Sequence, residues 1–167
     1  MALTAKKSIL TGLPRRLVQE SICTEEMVHD AVAAAKKEKT TLVAHLIKNQ
    51  LADAQDVAQA ASHEFGVPTL NLESLVVDVD VCQLVNQDLL SKHKVLPLVK
   101  RGKRIFIAVS DPTNLHALDE IRFQTGLSVE PVIVEQDKLD EMLKKTMEAL
   151  DNSIDAFDDE DFELENL

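Results

Sequence analysis

Two stretches of this chain repeat one another at a fixed offset of 29 residues, and no other feature narrows the fold as far. Leu13 falls on Leu42, Leu17 on Leu46, Val18 on Ile47, Ile22 on Leu51, Thr24 on Asp53, Val28 on Val57 and Ala31 on Ala60. Core positions coincide, and so do the polar residues that cap helices, which generic amphipathicity does not produce. In the first copy Thr24 opens a helix with Val28, Ala31, Val32 and Ala35 on one face. Lys36, Lys37 and Lys39 stand near its end, where the helix dipole favours cations. In the second copy Asp53 opens a helix with Val57, Ala60, Ala61 and Phe65 on one face, stopped by Gly66. Shorter helices over 14–20 and 41–49 precede these two, the first with Pro14 at its start. The spacing predicts two helix pairs over residues 10–72, behind a flexible N-terminus of residues 1–9.

After an extended stretch over 67–72 the texture changes. A helix is expected over 82–93, then strands over 95–100 and 104–110 around Arg101-Gly102-Lys103, a hairpin with a basic tip. Asp111-Pro112-Thr113-Asn114 closes the second strand and opens a helix that Gly126 ends. A third strand over 128–135 and a helix over 137–150 complete the order α-β-β-α-β-α. Residues 73–150 thus predict a small three-stranded sheet with helices packed on it, and the chain as a whole an α+β fold.

The net charge of −11 is unevenly placed. Residues 151–167 hold eight acidic residues and no Lys or Arg; setting them apart from −11 leaves −3 on residues 1–150. Such a segment is expected to be a disordered linker. Neither part has the basic footprint of a nucleic-acid binder, and with no Trp or Tyr the chain lacks aromatic platforms for bases. No apolar run approaches a membrane span, so no direct insertion is expected. Cys23 and Cys82, outside any ligand spacing, read as two buried thiols of a reduced, cytosolic chain.

Motifs that carry chemistry are missing. Of the four glycines only Gly102 precedes a lysine, in a predicted turn, so no phosphate-cradling P-loop is present. His29, His45, His63, His93 and His116 never fall at i, i+4, and no serine sits in a nucleophile elbow. Asp111, at a strand end, is the best carboxylate for acid–base work, yet Asp-Pro-Thr-Asn is ordinary turn and cap chemistry. No catalytic, cofactor or metal site is expected.

Residues 65–72, "FGVPTLNL", and 86–126, "NQDLLSKHKVLPLVKRGKRIFIAVSDPTNLHALDEIRFQTG", follow the paired repeats. This arrangement, over roughly 10–150, resembles the N-terminal domain of type IV pilus assembly ATPases of the PilB type, related to that of type II secretion ATPases. The resemblance implies a homohexameric motor whose ATP- and Mg-binding core lies C-terminal to this domain, with residues 151–167 leading toward it. It implies a cytoplasmic place at the inner-membrane pilus machine, with a PilZ-type adaptor protein or inner-membrane platform proteins as partners. Some members bind cyclic di-GMP through the repeats, each copy having an Arg-Leu-Gly-like start and a glycine seven residues after that start's glycine. The matching positions here are Gly12-Leu13-Pro14 with Ser21, and Thr41-Leu42-Val43 with Gln50. The leucines are kept while the basic starts and the glycines are replaced, though Arg15 and Arg16 lie close by.

The reading is a non-catalytic regulatory domain docked upon by a PilZ-type adaptor in pilus assembly and twitching motility. The alternatives are a direct cyclic di-GMP sensor and a docking domain of a type II secretion ATPase on its platform. The expected contact surface is Leu10, Leu13, Arg15, Arg16, Leu17 and Val18, where apolar residues cover more than one helix face.

Overall fold

The computed structural model describes residues 8–165, and the side chains of 8–153. Of the N-terminus expected to be flexible, residues 1–7 therefore lie outside the described residues. Helices α1 (Leu13–Gln19) and α2 (Glu25–Glu38) form the first pair, α3 (Leu42–Lys48) and α4 (Ala54–Phe65) the second. Each element of the second pair starts 29 residues after its counterpart.

The repeat extends to single hydrogen bonds. Thr24 Oγ1 caps α2 by accepting from the Met27 amide at 3.2 Å, and Asp53 Oδ1 caps α4 by accepting from the equivalent Asp56 amide, also at 3.2 Å. Helix α1 ends with Ser21 N–H donating to Val18 O and Ile22 N–H to Leu17 O; α3 ends with Gln50 N–H donating to Ile47 O and Leu51 N–H to Leu46 O. Both are Schellman ends, which require a left-handed residue just past the helix. Ser21 (φ 59°) and Gln50 (φ 55°) supply it.

The second half opens with a 3₁₀ turn (Leu72–Ser74), α5 (Val79–Cys82) and α6 (Gln87–His93). The single helix expected over 82–93 is therefore two. Asp78 caps α5 through the Asp80 amide, and Asn86 caps α6 through the Asp88 amide, each at 2.9 Å, so α6 begins afresh inside the expected span. Strands β1 (Leu96–Arg101) and β2 (Arg104–Val109) pair antiparallel through the turn Gly102-Lys103, whose Gly102 has φ 60°. Helix α7 (Leu115–Thr125) carries the chain across to β3 (Ser128–Ile133), parallel to β2, in a sheet of order β1-β2-β3. β3 stops at Ile133, two residues short of the expected end. Helix α8 (Gln136–Glu165) continues through most of the segment expected to be disordered. No glycine or proline follows Pro131 to stop it.

Leu, Val, Ile and Ala fill two hydrophobic clusters, one within the helix pairs and one between the sheet and the later helices. A seam joins them. Leu70 N–H donates to Ile133 O, and Ile133 N–H to Pro68 O, both at 2.9 Å, while the fully buried Ile133 side chain belongs to the repeat cluster. Among the described residues no helix is long and apolar enough to cross a membrane.

Candidate functional site

Helix α1 is short, and its position is set by what it buries. Leu13 and Leu17, at i and i+4, are 4% and 0% exposed within the cluster that includes Val57, Ala60 and Ala61 of α4. These two residues of the expected contact surface are core, because the face toward α4 is the one that i, i+4 leucines share. Arg16 Nε donates to Glu64 Oε2 at 3.1 Å, and Arg15 reaches Glu64 Oε1 at 3.8 Å, pinning the polar flank of α1 to α4. His63 Nδ1 lies 2.9 Å from Glu20 Oε1 and adds a tie at the far end of α1.

Three of the four remaining expected contact residues come together on the outside, while Arg16 is turned to Glu64. Half-buried Leu10 and Val18 and exposed Arg15 line a shallow depression of about 300 Å³ with Ile9, Gln19 and Glu25. Ile9 is 91% exposed and stands at its edge. Ile9 is not among the expected contact residues; an isoleucine ahead of the repeat, with no periodic partner, is the only sign of it in the sequence.

A second concavity, about 410 Å³, lies where the halves of the molecule meet. Its walls include Lys39 and Thr41 from the α2–α3 connection, Lys92, His93 and Lys94 at the end of α6, and Asp111 after β2. Lys39 and Lys94 are both left-handed C-cap residues. Thr41, the expected start of the second repeat's motif, thus opens onto a cleft with three lysines. No short sequence window contains this group. The Asp111 carboxylate accepts from the Thr113 amide at 2.9 Å and hydroxyl at 2.6 Å, and Asn114 caps α7 through the Ala117 amide. Asp111 is therefore engaged in its turn and is not poised as a base.

On the next face of α7 one carboxylate gathers three donors. His93 Nε2 lies 2.7 Å from Glu120 Oε2, while His116 Nε2 and Lys92 Nζ lie 2.9 and 3.5 Å from Oε1. The hydrogen bond from His93, ahead of the charges of Lys92 and His116, holds the Glu120 carboxyl below its ordinary range against the opposing effect of desolvation. The group clamps α6 to α7. Among the described residues no set of three or more His, Cys, Asp or Glu side chains is arranged to hold a metal ion. Both cysteines are buried: burial pushes the Cys23 thiol up, and burial with Asp78 nearby pushes Cys82 up to about 11. Thiols held protonated in this way are poor nucleophiles.

Comparison with known proteins gives a consistent set of relatives. The MshEN domain model matches residues 65–152, more than half of the chain. The type IV pilus assembly ATPase PilB of Pseudomonas aeruginosa is 34% identical over 154 residues, 92% of this chain and 27% of that protein. PilB of Acinetobacter baylyi is 38% identical over 135 residues, 81% of this chain and 23% of that protein. The chain thus spans about a quarter of the length of these relatives. A solved structure described as MshE with cdg superposes with a TM-score of 0.64 at 23% identity, covering 82% of this chain and 99% of that one. The N-terminal domain of XpsE superposes with the same score at 19% identity, covering 82% and 97%.

Proposed function

This chain belongs to the MshEN domain family, as a non-catalytic N-terminal domain of a type IV pilus or type II secretion ATPase, and we propose that it is a regulatory docking domain of a pilus extension motor. In this reading a PilZ-type adaptor protein binds the outer face of α1 and couples second-messenger signalling to pilus assembly and twitching motility. The domain works in the cytoplasm, at the inner-membrane platform of a hexameric motor. It needs no cofactor itself, ATP and magnesium belonging to the motor's catalytic core.

The depression formed by Ile9, Leu10, Arg15 and Val18 supports the reading best. It joins exposed apolar surface to a cation on a helix held rigidly by Arg16 and Glu64. Ile9, 91% exposed beside Leu10 and Val18, gives the depression apolar surface that a partner can cover.

Isothermal calorimetry of the chain with a PilZ-type adaptor at micromolar concentration tests this. A complex is expected, weakened roughly tenfold or more by Ile9→Asp with little change in thermal stability. No heat with the adaptor overturns the proposal.

One observation favours a second reading, a cyclic di-GMP sensor. The start of the second repeat opens onto the lysine-lined cleft, and Ser21 and Gln50 keep the left-handed backbone at the positions where glycines are expected. Titration with the dinucleotide decides it: absence of heat at high micromolar ligand removes this reading.

A further inference from the structure

The three-stranded sheet has one face that is covered along its whole length. Ile105, Ile107 and Val129 lie on it, at most 6% exposed, in the cluster that also holds Leu118 and Ile121 of α7 and Leu139 and Leu143 of α8. Successive side chains of a strand alternate between faces, and residues paired across strands share one. The register pairs Val99 with Phe106, Phe106 with Glu130, Arg101 with Arg104 and Arg104 with Ser128, and Val132 stands two residues beyond Glu130. These residues make up the opposite face. Val99 is 39% exposed, Phe106 and Val132 are half-buried, and none of the three belongs to either hydrophobic cluster. Farther along β2 the face closes over Ala108, which is fully buried, so its open part is the half nearest the hairpin turn.

The open half joins apolar surface to a cationic border. Arg101 and Arg104 stand opposite one another and exposed, and among the described residues neither pairs with a carboxylate. Like charges at opposed strand positions destabilise a hairpin, so this pair displays charge against the interest of its own fold. Lys103 in the turn strengthens the same positive field. The two edges of the sheet are already engaged in part. Pro68 and Leu70 bond to Ile133 of β3, and Cys82 Sγ donates to Pro97 O of β1 at 3.4 Å, which obstructs an added strand. The element that covers a sheet face is a helix. Three strands spaced about 4.8 Å apart span about 10 Å, the diameter of one helix.

We propose that this open face, Val99, Phe106 and Val132 bordered by Arg101 and Arg104, docks an acidic amphipathic helix of a partner protein. The helix lays its apolar side on the three hydrophobic residues and sets carboxylates against the two arginines. Charge decides between kinds of partner. Glu130 within the face and a net charge of −11 oppose nucleic acid and anionic membranes, which present phosphate throughout, whereas a helix can place its carboxylates at the arginines alone. The face uses none of the residues assigned to adaptor binding, so either proposal can fail without the other.

Fluorescence anisotropy on the whole chain tests the docking with a labelled synthetic helix of about 18 residues, five turns, carrying Leu and Ala on one side and Glu on the other. Binding at micromolar peptide is expected in about 50 mM salt, where surface charge is weakly screened. A scrambled peptide of the same composition, and one with Lys in place of Glu, are expected not to bind. Arg101→Gln combined with Arg104→Gln is expected to weaken binding roughly tenfold or more, and Val99→Glu, with an unchanged circular dichroism spectrum, to weaken it as far. The double arginine variant should also melt no lower than wild type, since it removes a like-charge pair, which separates lost contact from lost folding. No binding by the wild-type chain, equal binding of the scrambled peptide, or a double variant that binds like wild type overturns the proposal. So does peptide binding that appears only once residues 154–167 are removed, which would assign the face to the chain's own end. Tighter binding to phosphatidylglycerol vesicles or to a thymidine oligonucleotide than to the peptide overturns it as well.

Discussion

Ser21 and Gln50 hold a backbone conformation that L-residues with a Cβ adopt at a cost of about 1–2 kcal/mol. They do so because the Schellman ends of α1 and α3 demand it, and the hydrogen bonds of Ile22 and Leu51 back to Leu17 and Leu46 hold them there. Ser21→Gly and Gln50→Gly should therefore each stabilise the chain by about 0.5–1 kcal/mol in urea unfolding, the relieved strain exceeding the added flexibility of the unfolded chain. Glu120 makes a different residue-level case. Its carboxyl titrates below the ordinary value of 4.5, so its contribution is complete above that value and is lost as pH falls through the lower folded value. Thermal melts of the wild-type chain should lose stability in that acid window, and Glu120→Gln should be less stable at neutral pH and flatter below it.

At the scale of elements, the helix pairs were readable because caps and core positions recur together: Thr24 and Asp53 mark starts that their sequence neighbours confirm at the same spacing. The hairpin was readable for a similar reason, Gly102 standing between two apolar runs. The break between α5 and α6 was not, since Val81, Leu84, Val85, Leu89 and Leu90 run through it in a helix-compatible pattern. Only the side chains of Asp78 and Asn86, turned to cap, reveal two starts. The outer site was half readable. The stretch 10–18 stood out as apolar, but which leucines face α4 depends on tertiary packing. Leu17→Ala should cost about 2–5 kcal/mol by opening a cavity between α1 and α4, whereas Val18→Ala, half-buried, should cost clearly less. Chemical denaturation of the two variants distinguishes the buried from the outward face of α1.

For the whole molecule, the seam between the halves decides how it unfolds. A repeat and a sheet with separate cores could melt independently, as the change of sequence texture after residue 72 implies. Yet Ile133, the last residue of β3, lies fully buried in the repeat cluster, and its backbone is paired on both sides to the strand-like stretch leaving α4. The strand that completes the sheet therefore also completes the repeat core. Cooperativity follows when one element's burial serves both parts. Fluorescence of single tryptophans placed at Phe65 and Phe106, one in each half, should report coincident unfolding transitions. Ile133→Ala should lower both midpoints together, by about 2–5 kcal/mol of stability, and a shift confined to the Phe106 probe would show that the halves fold apart.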